Sequence, residues 1–393
     1  MKKTLAAVAV LGAFAGSALA ADVTLYGRID TGLNFTSNTI EEDGVELVDT
    51  QDWGMASGQT SGSRLGVKGT EQISEGLAVG FVLEHGLSSD TGANSDGSRF
   101  FNRESMVQII SDYGTFAFGR MGTINSDAGT FGFYSGTVNP FGTGWNALPG
   151  VGGALFAAPS ARMDNMITYK SPTFAGTTVY AQYSTGADST KDGFEENSNK
   201  FDRYAALGVN YANGGLNLAA VVDWVDEAKA AGAKDPEDMY TINIGGSYNC
   251  GFAKTYLAAQ YFKNANDFGG MSTMYNAAGF TEPGDNGEEV DWKWADEKYD
   301  EIKGYGVALG FDIPAFGGNF LASLGYSDAE NETAGTEKFD AKVYSVAAAY
   351  TYPLSSRTSL YLTGVYNNRE MKETGWKLEQ EEYKVTTGIL HKF

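Results

Sequence analysis

From Val23 onward the chain repeats one pattern: stretches of about ten residues in which apolar and polar side chains alternate. VTLYGRIDTGLNF (23–35) sets Val23, Leu25, Ile29, Leu33 and Phe35 on one face and Thr24, Arg28, Asp30 and Asn34 on the other. LNLAAVVDW (216–224) sets Leu216, Leu218, Ala220, Val222 and Trp224 against Asn217, Ala219 and Asp223. YTINIGGSY (240–248) and YGVALGFDI (305–313) repeat the arrangement. Period two with one polar face specifies a half-buried β-strand. The apolar faces begin or end on Tyr, Phe or Trp, as strands do when aromatic girdles mark two membrane–water interfaces. The polar faces are rich in Gly, Ala, Ser, Asn and Asp, which suits a water-filled interior.

The segments between strands come in two sizes. Short ones include DYG (112–114), NGG (213–215) and PAFGG (314–318), with the Gly, Asn and Pro of tight turns. Long ones are 37–62, 86–98, 123–161, 185–200, 226–238, 264–302, 328–340 and 368–382. Eight long loops with a strand on each side predict sixteen strands. An even number, with short turns on one side and long loops on the other, is the layout of a closed antiparallel transmembrane barrel. Closure also leaves a long sheet without an exposed edge. Composition agrees: 51 Gly, nearly twice the average share, with 23 Phe, 22 Tyr and only 8 Pro in 393 residues.

MKK, a short apolar run and Ala18-Leu19-Ala20 read as a secretory signal over residues 1–20, leaving the barrel as 21–393. Beyond it no run of eighteen apolar residues marks a membrane helix. A single cysteine, Cys250, excludes an internal disulfide, and the two histidines, His85 and His391, stand far apart without a zinc-binding cluster. Neither histidine belongs to a hydrolase motif, so no catalytic residue, cofactor or metal is expected. A formal charge of −21 argues against nucleic acid as a partner. Acids concentrate in long loops: Glu41, Glu42, Asp43, Glu46, Asp49 and Asp52 in one, nine acids against Lys293 and Lys298 in 282–301. Such loops keep a surface solvated. Clustered carboxylates also offer hard oxygen ligands to divalent cations that bridge to phosphate-rich lipid, although no defined calcium loop is present.

The chain ends on YKVTTGILHKF, in which Tyr383, Val385, Ile389 and Phe393 share parity. That predicts a last strand closing the ring, with Phe393 at the closure. DVTLYGRIDTGLNF, SRLGVKGTE (63–71), FNRESMVQIISDYGTFAFGRM (101–121), ITYKSPTFAG (167–176) and the terminal GILHKF, in this order, resemble the general diffusion porins of Gram-negative bacteria, in the neisserial and burkholderial branch. The resemblance implies a sixteen-stranded homotrimeric barrel in the outer membrane, among lipid and lipopolysaccharide. It implies passive diffusion of small hydrophilic solutes and ions, and a third long loop, about 123–161, folded into the lumen.

In porins of this kind basic side chains line one wall of the constriction. The positions matching those wall motifs are Arg28 (LYGR), Arg64 (SRLG), Arg103 (FNR) and Arg162 (before MDNMITYK). Arg28 and Arg64 also fall on the polar faces of strands with clear phase, and Lys68 shares the parity of Arg64. Arg120 is a further candidate. Wall acids such as Asp30, Glu71, Glu84 or Asp164 are available to pair with these bases. The resemblance places acids on the inserted loop opposite the arginines, and here the chain departs from it. Asp127 is followed by no charged residue until Arg162. The expectation is a locally positive constriction, an acidic outer vestibule, and weak selectivity or a mild anion preference. Phe131, Phe133, Tyr134, Phe141 and Trp145 then serve to anchor the loop to the wall. The alternatives are a sugar slide in a substrate-specific channel, or a surface adhesion role for the loops.

Overall fold

A computed structural model describes residues 22–143, 155–191, 193–198, 200–228, 237–265, 267–279, 302–331 and 340–393. The predicted signal, the acidic stretch 282–301 and Trp145 lie outside the described residues. In chain order the strands are β1 (Thr24–Glu42), β2 (Val45–Ser57), β3 (Arg64–Ser74), β4 (Leu77–Gly86), β5 (Glu104–Ser111), β6 (Gly114–Gly122), β7 (Arg162–Lys170), β8 (Thr177–Ser184) and β9 (Arg203–Asn213). They continue with β10 (Leu216–Asp226), β11 (Met239–Asn249), β12 (Lys254–Lys263), β13 (Ile302–Ala315), β14 (Gly318–Asn331), β15 (Asp340–Pro353), β16 (Thr358–Glu373) and β17 (Trp376–Lys392).

Every pairing is antiparallel, and β1 pairs β17 from Arg28↔Lys392 to Glu42↔Leu378, which closes the sheet. Beyond that ladder the backbone of Phe393 exchanges both hydrogen bonds with Gly27, at 3.1 Å each. β2 and β3 lie end to end along the same edge of β1: Thr31↔Ser57 ends one ladder and Arg28↔Arg64 begins the next. Together they make one interrupted strand, so the barrel has sixteen.

The alternation becomes an inside and an outside. Leu33, Val222, Ile244, Leu309 and Val385 are exposed outward, where lipid is the solvent, while Asp30, Asp223, Thr241, Asn243 and Ser323 are buried inward. Two of the long loops expected from sequence are instead strand. Residues 37–57 extend β1 and β2 to a turn at Asp43–Gly44, both with positive φ, and 368–382 are largely β16 and β17. An Asp-Gly pair favours such a two-residue hairpin turn. In these extensions Ile40, Met371 and Leu378 are buried inward, while the outward face carries polar groups such as Glu41, Glu370 and Glu379 in place of the lipid-facing apolar row, so the stretch reads as loop. The two tall hairpins hold each other: Trp376 Nε1 donates to Glu42 Oε1 (2.7 Å), and Lys377 N to Asp43 Oδ1 (2.9 Å). Those acids of the 41–52 cluster therefore act within the wall.

The third long connection enters the barrel, carrying a short helix α1 (Tyr134–Val138). Its side chains fill hollows that inward-facing glycines leave in the wall. Val138 sits at Gly245, Pro140 at Gly310, Leu155 at Gly325, Phe156 at Gly306, and Ile124 with Phe133 at Gly208. A Cβ at any of these positions would press on the loop. The abundance of glycine thus has a packing role in addition to turn-making. A second segment dips inward as well: α2 (Met271–Ala277) buries Met271 and Met274, and Arg369 of β16 donates from Nε to Gly269 O (2.5 Å).

Candidate pore constriction

Between the inserted loop and the wall of β1–β5 lies a cavity of about 750 Å³. Its charged lining is Arg28, Arg64, Lys68, Arg103 and Arg162 against Glu84, Glu104 and Asp127. Five bases thus face three acids. The five predicted basic positions converge on one space, although they come from β1, β3, the approach to β5 and the start of β7.

Their partners differ. Glu84 of β4 is shared: Arg103 Nε donates to Oε1 at 2.7 Å and Arg64 Nη1 at 3.4 Å, while Tyr26 OH donates to Oε2 at 3.1 Å. Arg28 donates to a hydroxyl, Ser61 Oγ, at 2.6 Å. Among the described residues no carboxylate lies in ion-pair range of Arg28 or Arg162, and the buried Nε of Arg162 has no hydrogen-bond partner. Lys68 rests over the Tyr26 ring, 5.3 Å from its centroid. Arginine keeps its charge at any relevant pH, so the unneutralised guanidinia make a standing positive field.

Arg120 belongs elsewhere. It donates to Asp164 Oδ1 (2.6 Å) and to Asn102 O (2.7 Å). Arg99 joins Asp164 at 2.8 Å and also pairs with Asp96 and Asp188. Arg99, Arg120 and Asp188 line a second cavity of about 370 Å³, to which Arg162 also contributes. Of the acids named from sequence, Glu84 and Asp164 hold arginines, Asp30 holds backbone, and Glu71 is exposed on β3.

Asp127 does reach the constriction, as the one acid of the loop there. Its Oδ1 accepts from Thr143 N (2.9 Å) and from Thr143 Oγ1, across the loop. It touches lumen water while protein surrounds it on most sides. That crowding pushes its carboxyl above the usual range, against the Thr143 hydrogen bonds and the nearby Arg162, which pull it down.

Sequence reasoning misses Glu104. It is buried and accepts from Thr130 N (2.7 Å) and Thr130 Oγ1 (3.1 Å), so it pins the inserted loop to β5. Its lumen parity with Met106 and Gln108 is the available signal. The signal is obscured because the pattern reads as a strand from residue 99, whereas β5 starts at Glu104 and Arg103 precedes it. Two adjacent residues can both face the lumen only if one lies outside the pleat.

The described loop aromatics pack against the wall, although Phe141 also borders the constriction cavity. Phe131, Tyr134, Phe141 and Phe156 are all buried. Tyr134 OH donates to Ile244 O (3.1 Å), Phe133 stacks on Tyr180 at 4.4 Å, and Phe141 packs with Leu321, Ala347, Ala349 and Val365 of the far wall.

Comparison with known proteins agrees with this architecture. The profile of the Gram-negative porin family matches residues 6–371. The chain is 32% identical to an outer membrane porin protein of Bordetella pertussis over 409 residues, covering 100% of both chains. It is 32% identical to the major outer membrane protein P.IB of Neisseria meningitidis serogroup A, over 55% of this chain and 57% of that one. Among solved structures, an anion-selective porin from Comamonas acidovorans superposes with a TM-score of 0.66 at 23% identity, covering 95% of this chain and 100% of the other.

Proposed function

This chain belongs to the Gram-negative porin family, and from that premise we propose how its own constriction sorts solutes. As an outer-membrane porin it forms a water-filled β-barrel for passive diffusion of small hydrophilic solutes and ions. The proposed filter is the cavity between the inserted loop and the β1–β5 wall. The observation that carries it is the charge imbalance there, five bases against three acids, with Arg28 and Arg162 unneutralised by any described carboxylate. Fixed charge at the narrowest point sets ion preference. Acids on distant loop tips act through several Debye lengths of about 8 Å and count for less. The result is a mild anion preference.

A reversal potential in a planar bilayer under a potassium chloride gradient tests this. A potential of the sign for anions, with ohmic single-channel conductance, is expected. Strong cation selectivity at physiological salt overturns it. The sugar-slide reading lacks support, since the described loop rings are largely buried against the wall.

The assembly we propose is a homotrimer embedded among lipid and lipopolysaccharide. Support comes from the family and from an outward patch on β2–β4, where Trp53 and Met55 are exposed and His85 stacks on the exposed Phe100 at 4.7 Å. Cross-linking of the detergent-extracted protein reads the subunit number directly.

A further inference from the structure

The break between β2 and β3 is built, and it touches the filter. Ser57 and Arg64 pair with Thr31 and Arg28, so only two residues of β1 span the gap that six residues, 58–63, cross on the other side. The surplus chain is thrown into the lumen, and Gly58 takes a positive φ of 67° to start the detour.

One carboxylate holds it there. Asp30 of β1 is fully buried, and its Oδ2 accepts from Thr60 N (2.8 Å), Thr60 Oγ1 (2.7 Å) and Ser61 N (2.8 Å). Its Oδ1 accepts from Tyr361 OH at 2.6 Å. Four neutral donors satisfy it, and among the described residues no cation pairs with it. Its backbone is engaged too: Gly58 N donates to Asp30 O (2.9 Å), and Asp30 N to Ser63 Oγ (3.0 Å).

The far side of the detour meets three of the four wall arginines. Ser61 Oγ accepts from Arg28 Nη1 (2.6 Å) and Arg64 Nη2 (3.3 Å), and Gly62 O accepts from Arg64 Nε (2.9 Å). Gly62 lies flush on the Arg103 guanidinium, where a Cβ would come within 2.9 Å of Nη1. The segment and Asp127–Thr130 of the inserted loop line the same cavity.

We propose that residues 58–63 form a second constriction element facing the inserted loop, and that Asp30 is the positioning residue that sets its reach and, through Ser61, the placement of Arg28 and Arg64. This rests on reading the basic wall as the filter. Asp30 touches no permeating solute; it acts through the segment it clamps.

The test uses the full-length porin in planar bilayers, with heat-modifiable gel migration as the control for folding. Asp30→Ala removes the acceptor for Thr60 N, Thr60 Oγ1 and Ser61 N together, so the segment loses its clamp, whereas Asp30→Asn can keep its carbonyl oxygen on those three donors and turn its NH2 to the Tyr361 hydroxyl, and serves as the conservative control. For Asp30→Ala, single-channel conductance is expected to rise by about 1.5-fold or more as the opening widens. Ser61→Ala removes the hydroxyl shared by Arg28 and Arg64, and the anion-to-cation permeability ratio is expected to fall by about twofold. Ser61→Thr, which keeps the hydroxyl, restores the wild-type ratio; a merely structural role for position 61 would not separate these two. If folded Asp30→Ala conducts like wild type, the segment is not a constriction. If Ser61→Ala and Ser61→Thr give the wild-type ratio alike, the positioning role is wrong; should Asp30→Ala fail to fold, this pair alone decides. If wild type itself shows no anion preference, the reading of the basic wall fails, while the conductance of Asp30→Ala still judges the segment.

Discussion

Phe156 of the inserted loop occupies the hollow that Gly306 leaves in β13, and a Cβ on Gly306 would overlap its ring. The ring is fully buried, and its neighbour Leu155 does the same at Gly325. The loop carries no charge between Asp127 and Arg162 and so relies on such contacts to stay in place. Gly306→Val overpacks the site at a cost of about 1–3 kcal/mol. Phe156→Ala leaves a cavity costing about 3–5 kcal/mol. Both are expected to loosen the loop, with noisier open-channel current and faster protease cleavage within 123–161. A variant as quiet and resistant as wild type shows that the hollow is not an anchor.

Glu84 holds two arginines at once, so its loss has two consequences. Glu84→Gln raises the charge of the constriction by one and shifts the reversal potential further toward the anion side. It also leaves Arg64 and Arg103 side by side without their carboxylate, and all three side chains are largely buried. Breaking a buried pair from one side costs about 3–5 kcal/mol. The expected outcome is higher anion preference with a lower thermal transition, by bilayer recording and circular dichroism on the same preparation. An unchanged transition means that water already screens this pair.

Arg162 provides the opposite case. It has no described carboxylate partner, and its Nε is buried without an acceptor. An unmet buried donor costs about 1–3 kcal/mol. Arg162→Gln is therefore expected to lower the anion preference while leaving thermal stability equal or slightly higher. A loss of stability comparable to that of Glu84→Gln means that Arg162 has a structural partner after all.

How much of this is legible in the sequence depends on contrast between the two faces of each strand. Val222 and Asp223 differ sharply, and the barrel follows from such pairs wherever one face meets lipid and the other water. Above the apolar band the outward face meets water and carries polar groups, which is why Glu41–Asp52 reads as loop although Thr39↔Asp49 is a ladder pair. The basic wall is legible from phase at Arg28 and Arg64, and from resemblance at Arg103 and Arg162. The segment 58–63 is not: in the sequence it merges into one long loop, 37–62, and that it is a detour between two strand pieces shows only in the register of β1 with both β2 and β3. In the sequence Asp30 is an acid available to an arginine; that its partners are backbone and hydroxyl donors requires the fold.

Asp127 makes the filter sensitive to pH. Crowding by protein raises its carboxyl above the ordinary 3.8, so it takes up a proton at a higher pH than a free aspartate. The raised value means that the folded state binds this proton more readily than the unfolded chain. The contribution to stability is therefore present below 3.8 and lost as pH rises through the folded value. For conduction the sign is simple: acidification through that window removes one of three acids facing five bases, and anion preference increases. Glu84 and Glu104 line the same cavity, so wild type alone does not isolate Asp127. Asp127→Asn does. At neutral pH it is expected to show the preference that wild type reaches only after acidification, and its reversal potential should change less across the same range. If the pH dependence of Asp127→Asn matches that of wild type, the sensitivity belongs to the other two carboxylates, and Asp127 serves only to tie the loop to Thr143.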